Sequence, residues 1–215
     1  MQKVFIAGST GYMGSRLADP LIQRGHTVSG LVRPGSEKKL PAGCLAVAGN
    51  ALDRATFITK LNGADTYVQL IGVAHPSPAK ALQFREIDLE SCEESVAVAL
   101  ANGVKHFVYV SVAHPAPAMK AYIEVRVQCE ELICKSGLKA TILRPWYVLG
   151  PGHYWPYLLK PFYWLARGIP ATRAGAQRLG LVTLPQMIAA LVATVESPSS
   201  GLRIVEVPEI ASHGA

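Results

Sequence analysis

The sequence predicts a doubly wound α/β fold built on a parallel sheet. Three observations carry that expectation. Short, β-branched apolar runs alternate with stretches of helical periodicity along most of the chain. The first run, Lys3 to Ala7, passes directly into a turn with glycines at 8, 11 and 14. The length of 215 residues, half of them hydrophobic, suffices for a single domain with a sizeable core.

The elements follow in order. Val4 to Ala7 reads as a buried strand. A helix is expected from Tyr12 to Arg24, with Met13, Leu17 and Leu21 on one face, Pro20 inside it and Gly25-His26 ending it. Thr27 to Val32 and Cys44 to Ala48 read as the second and third strands. Asp53 is placed to cap a short helix ending near Leu61. Thr66 to Ile71 is the fourth strand. A long helix is expected from Ala79 to Ala101, with Glu86, Glu90, Glu93 and Glu94 in solvent and Phe84, Ile87, Val96 and Leu100 against the sheet. Asn102-Gly103 stops it. Val104 to Val110 is the fifth strand, Met119 to Lys135 the next helix, and Lys139 to Leu143 the sixth strand. After Arg144-Pro145 the pattern turns irregular to about Gly168, and Ala211 to Ala215 reads as the one stretch expected to lack order. A last helix, Pro185 to Glu196, and a last strand, Arg203 to Val207, close the chain. Residues 1–145 thus form the core of one domain, and 146–215 a small lobe with a closing helix and strand.

The glycines carry the first chemistry. Gly8 permits a sharp exit from the strand, Gly11 lets a pyrophosphate approach the backbone, and Gly14 lets the new helix pack closely on the sheet. The helix N-terminus then faces the phosphates with its amides and dipole. This is the architecture of a dinucleotide site, although the spacing is GxxGxxG where the general fingerprint has GxGxxG. The formal net charge of +6 suits a polyanionic ligand. Its scatter, with no run of Lys or Arg, argues against a nucleic-acid partner. Cys44, Cys92, Cys129 and Cys134 form no CxxC pair and no Cys/His cluster, so free, mostly buried thiols in a cytoplasmic protein are expected, and no metal. The chain opens on a strand, not a signal peptide, and has no apolar run of the ~18 residues that a membrane span requires.

Four segments together resemble the short-chain dehydrogenase/reductase superfamily, in its extended and atypical branches, near the NmrA-like and epimerase-like proteins. They are Ala7-Gly8-Ser9-Thr10-Gly11-Tyr12-Met13-Gly14; Gly25-His26-Thr27-Val28 leading to Leu31-Val32-Arg33; Gly103-Val104-Lys105-His106-Phe107-Val108-Tyr109-Val110-Ser111; and Ser136-Gly137-Leu138 leading to Thr141-Ile142-Leu143-Arg144-Pro145. The resemblance implies a Rossmann sheet with the cofactor over the carboxyl ends of the strands and a reduced substrate-side lobe after Pro145. It further implies a cofactor site drawn from Gly8, Ser9, Thr10, Gly11, Tyr12, Met13 and Gly14, from Arg33, from Asn50 and Ala51, from Ile71, Gly72 and Val73, and from Pro145, Tyr147 and Val148.

Arg33 stands where an NAD-preferring site presents Asp or Glu to the ribose. An arginine there can stack on adenine and pair with a 2′-phosphate, which favours NADP(H) over NAD(H), with Ser36 and Lys38 nearby. Family oxidoreductases use a Tyr-xxx-Lys pair on the helix after the fifth strand. Here Tyr122 is kept and Arg126 replaces the lysine, while Ser111 holds the end of the strand. All three are expected to touch the cofactor. Tyr122 is the candidate acid, with Arg126 and Ser111 assisting. The leading expectation is an oxidoreductase on a small apolar carbonyl or alcohol. The alternatives are a catalytically inactive NAD(P)-binding regulator or assembly factor, and a nucleotide-sugar epimerase or dehydratase. The chain is expected to be a monomer or homodimer. His75 and His114 follow neighbouring strands in an echoed His-Pro-x-Pro-Ala motif and could both face the crevice. An aromatic stretch from His153 to Trp164 is read as a substrate wall, a partner surface or core cover.

Overall fold

The computed structural model describes residues 1–151, 175 and 178–214. The chain forms a seven-stranded parallel sheet: β1 (Lys3–Ala7), β2 (Thr27–Val32), β3 (Leu45–Ala48), β4 (Thr66–Gln69), β5 (His106–Val110), β6 (Ala140–Arg144) and β9 (Leu202–Glu206). Their order is β3-β2-β1-β4-β5-β6-β9. The chain winds outward from β1 on one side, then restarts at β4 and winds outward on the other. Strand order therefore reverses between β1 and β4, which opens a crevice at the carboxyl ends of those strands.

The five inner strands are buried on both faces, as parallel strands require, while the edge strands β3 and β9 are largely exposed. Successive side chains alternate faces. Phe5 points into one core with Tyr67 and Phe107, and Val4 and Ile6 point into the other with Val68 and Val108. The aromatic row is continuous: ring centroids lie 5.1 Å apart for Phe5 and Tyr67, and 5.4 Å for Tyr67 and Phe107. Helices α3 (Glu90–Ala101) and α4 (Lys120–Lys135) cover this face. The opposite face is covered by α1 (Gly14–Gln23) and α5 (Leu184–Glu196), through Leu17, Leu21, Met187, Leu191 and Val195.

The structure adjusts several boundaries. Helix α1 starts at Gly14, with Tyr12 and Met13 in the preceding turn, and runs on through Pro20. Asp53 does accept a bond from the Ala55 amide, but it opens two single 3-10 turns, Arg54–Thr56 and Ile58–Lys60, where one short helix was expected. The long helix is not uniform: a short α2 (Ala81–Gln83) leads into a π-helical segment, Phe84–Leu89, before α3. Leu100, expected against the sheet, is 49% exposed, and Val98 and Ala99 are buried beside it. Glu94 is drawn in to bond the Arg54 amide and side chain. Of the four free cysteines only Cys92 and Cys129 are buried, Cys44 sits just before β3, and Cys134 is exposed.

Two elements were not anticipated. A two-stranded parallel sheet joins β7 (Tyr147–Leu149) to β8 (Leu181–Thr183), and a terminal helix α6 spans Val207–Ser212 in a stretch partly expected to lack order. Helix α5 begins with a capping box: the Thr183 hydroxyl accepts from the Gln186 amide, and the Gln186 side chain accepts from Thr183. The aromatic stretch from His153 to Trp164 lies outside the described residues. Among the described residues no helix is long and apolar enough to cross a membrane.

His106 opens β5 fully buried, its Nε2 sharing a 2.9 Å hydrogen bond with the Thr141 hydroxyl. Burial holds its pKa down, from an ordinary 6.5 to about 4. The unfolded chain therefore binds the proton that the folded chain refuses between those values. Stability is complete above pH 6.5 and falls as the pH drops toward 4. Urea unfolding at pH 7.5 and pH 5 should show a loss of about 2 kcal/mol that His106→Gln lacks. Equal losses in both proteins would exclude His106 as the source.

Candidate functional site

Two cavities lie at the carboxyl ends of the strands, on either side of the glycine turn. The first, about 360 Å³, is lined by Gly8, Thr10 and Gly11, by Arg33 beyond β2, by Asn50, Ala51 and Leu52 beyond β3, and by Leu70, Ile71 and Gly72 beyond β4. The second, about 320 Å³, is lined by Tyr12, Met13, Ser111, Met119, Tyr122, Pro145, Trp146, Tyr147 and Val148, with His75 and Pro76 also on its wall. One turn thus serves both: residues 10 and 11 face one cavity, residues 12 and 13 the other.

The turn has the shape of an anion cradle. Gly8 adopts φ +88°, a conformation that a side chain would strain, and a Cβ there would crowd the Leu70 and Ile71 backbone at 3.0–3.2 Å. A Cβ on Gly14 would collide with the Gly8 carbonyl oxygen, so only glycine lets α1 start this close to the strand. No side chain caps α1: Met13 stands at the N-cap and the first turn holds no acidic residue. The Ser15 and Arg16 amides bond the Gly11 and Met13 carbonyls, and the positive end of the helix dipole faces the turn without a side-chain cap.

Around this cradle the candidate residues take different roles. Ser9 is fully buried, and its hydroxyl donates to the Leu31 carbonyl at 2.9 Å, so its side chain is committed to the strand. Thr10 and Gly11 line the cavity. Arg33 is exposed at its rim and carries no ion pair among the described residues. The Asn50 side chain accepts from the Leu52 amide and shapes the turn that closes the far end. Gly14 and Val73 line neither cavity. Gly14 sets the helix position, and the Val73 amide donates to a carboxylate beneath it.

That carboxylate is Asp88, which is not among the residues expected at the site. It is 1% exposed, in the π-helical segment four residues after Phe84 and four before Cys92. Its Oδ1 lies 2.5 Å from Nη2 of Arg126, and its Oδ2 accepts from the Val73 amide at 2.9 Å. Burial raises the Asp88 carboxyl above its ordinary value, and Arg126 and the Val73 amide oppose that shift. Arg126 is itself buried. Its Nη1 donates to the Tyr109 hydroxyl and to the Val110 carbonyl, each at 3.0 Å. Among the described residues it lines neither cavity. An acidic position on an otherwise apolar helical stripe was the available signal, since a lone buried carboxylate needs a cation.

Tyr122 does reach the second cavity, packed on Phe84 at 5.1 Å with the Arg126 guanidinium 5.0 Å from its ring. Burial raises its phenol above the ordinary value, and Arg126 only partly counters this. Ser111 also lines that cavity, but its hydroxyl donates to Glu130 at 2.5 Å. Glu130, 8% exposed on α4, further accepts from Arg144 through both carboxylate oxygens and lies 3.4 Å from His114 Nε2. Arg144 then reaches Glu206 at 3.0 Å, tying the end of β6 to β9. His75 reaches the crevice wall, whereas His114 belongs to this buried network. Among the described residues no cluster of His, Cys, Asp and Glu could hold a metal.

Comparison with known proteins agrees with this geometry. A family model described as NAD(P)H-binding matches residues 8–151, well over half of the chain. The chain is 27% identical to a 3-diazoavenalumate denitrifying reductase from Streptomyces sp, over 93% of its own length and 74% of that protein. It is 26% identical to a photosystem II assembly factor from Synechocystis sp., over 66% of its length but only 44% of that protein. The crystal structure of the Bordetella bronchiseptica enzyme WbmH in complex with NAD+ has the same fold, with a TM-score of 0.71 at 21% identity, covering 97% of this chain and 78% of that one. The chain therefore belongs to the NAD(P)H-binding family.

Proposed function

We propose that this protein binds NADP(H) and reduces a small, largely apolar substrate held in the second cavity. The observation that carries this reading is the pair of cavities sharing one uncapped glycine turn at the point where strand order reverses. The turn at residues 8–14 would hold the pyrophosphate, Asn50 and Ala51 the adenine side, and Ile71 and Gly72 the floor. When bound, the nicotinamide supplies a hydride. Arg33 supports the choice of NADP(H), because a guanidinium with no ion pair among the described residues is available to a 2′-phosphate in bidentate geometry. Tyr122 is the phenol on the wall of the second cavity and would deliver the proton. Trp146, Met119 and Val148 give that cavity its apolar character. The reductase from Streptomyces, similar over most of this chain, supports a reductive reaction.

A second reading, a cofactor-binding regulator or assembly factor, is favoured by Arg126. Its guanidinium stands beside Tyr122, 5.0 Å from the ring, but its terminal nitrogens bond Asp88, Tyr109 and Val110. The similar photosystem II assembly factor supports it over a smaller share of that protein.

Nucleotide fluorescence titration separates the cofactor claims. Arg33→Ala should weaken NADPH binding about tenfold or more, the loss of a charge-assisted pair worth roughly 1.5–3 kcal/mol, and leave NADH within threefold. Equal effects on both nucleotides would remove the 2′-phosphate role. For the reaction, Tyr122→Phe should lower turnover by about 100-fold with nucleotide affinity unchanged. Tight nucleotide binding with no turnover across a carbonyl panel, in both proteins, would favour the regulator.

A further inference from the structure

The buried pair of Asp88 and Arg126 joins the floors of the two cavities. On one side, Asp88 holds the Val73 amide at 2.9 Å, while the Ile71 amide donates to Gln69 Oε1 at 3.3 Å. Gln69 is held in turn by Ser91, 3.1 Å away on α3. The backbone of residues 71–73 is thus fastened from beneath at two alternate amides, and Gly72 between them lines the first cavity. On the other side, Arg126 grips the end of β5 through the Val110 carbonyl, and Val110 lines the second cavity. A single guanidinium therefore connects the exits of β4 and β5.

We propose that Arg126, oriented by Asp88, is a positioning residue: it clasps these two strand exits so that the floor under the dinucleotide is set before the ligand arrives. Its contacts, and not a bond to the ribose, are why an arginine stands at this position. A planar fork with donors on two separate nitrogens can serve Asp88 on one side and Tyr109 and Val110 on the other. An ammonium is a single point of charge and cannot span them. Gly72 is the matching half of the arrangement. A Cβ there would collide with Arg126 Nη2, but would lie 3.1 Å from Asp88 Oδ1 and 3.5 Å from Arg126 Cζ. That methyl would point at the clasp beneath the floor.

The geometry makes the test a double-mutant cycle on Gly72→Ala and Arg126→Lys. The lysine side chain has no Nη2 atom, so it removes the atom that the new methyl would strike. Two readouts are taken: NADPH affinity by fluorescence, and hydrogen exchange of the segment containing residues 71–73 in the cofactor-free protein. Thermal unfolding confirms that each variant is folded. Each single variant should weaken NADPH by about tenfold and speed exchange at 71–73 by a similar factor, with exchange in β1 unchanged. The double variant should be no worse than Arg126→Lys alone, a clear departure from additivity. Additive losses, or an Arg126→Lys protein with unchanged affinity and exchange, would reduce the pair to core packing and overturn the proposal. If Arg126→Lys does not fold, Gly72→Ala decides alone, because it leaves both charges in place. The affinity readout rests on the cofactor reading above, but the exchange readout does not. Wild-type protein that fails to bind NADPH would refute that reading, and exchange at 71–73 would still decide the clasp.

Discussion

Every carboxyl end in a parallel sheet lies on the same edge, and the whole site depends on that constraint. The five inner strands, buried on both faces, leave no room for chemistry within the sheet. Function is confined to the loops that leave its upper edge, and most of all to the reversal between β1 and β4. The glycine turn is the narrowest part of this arrangement. Gly14 must lie against the Gly8 carbonyl for α1 to start where its N-terminus can serve an anion. The cradle, the two cavities and the position of Tyr12 and Met13 follow from that approach.

Beneath that edge the protein invests in buried polar contacts. Asp88, Arg126 and Tyr109 form one group, and Ser111, Glu130, Arg144 and Glu206 form another. Such groups contribute little net stability when compared with apolar packing, but removing one partner is costly because the other is left charged and dry. Their value lies in direction: each fixes the exit of a strand. The first group fixes β4 and β5, and the second ties β5, β6 and β9. The cavity walls are therefore set by charge pairs below them, while hydrophobic cores on both faces hold the sheet itself.

This division has a chemical consequence. In the family pattern that the sequence resembles, the cation near the tyrosine acts on the cofactor and on the phenol. Here the cation supports the floor, and the serine at the end of β5 donates its hydroxyl to a carboxylate. Tyr122 remains on the cavity wall with its phenol held above its ordinary pKa by burial. The crevice keeps the shape of a dinucleotide site but distributes its polar groups toward structure.

Much of this was legible in the sequence, and the reason is locality. Apolar runs such as Phe107 to Val110 reveal strands because burial on both faces demands them, and the glycines at 8, 11 and 14 reveal the turn because sterics act over a few residues. What the sequence left open involves groups far apart in the chain. The position of Asp88 on the buried stripe calls for a cation, but only the fold brings Arg126, 38 residues away, against it. The π-helical widening at Phe84–Leu89 has no pattern of its own, and β7 finds its partner β8 only through packing beyond Pro145. The sequence by itself determined the sheet, the glycine turn and the NAD(P)H-binding family, because periodicity and backbone sterics are local. Only the tertiary structure decided which charges are spent beneath the site, because pairing depends on which side chains the folded sheet brings within a hydrogen bond of each other.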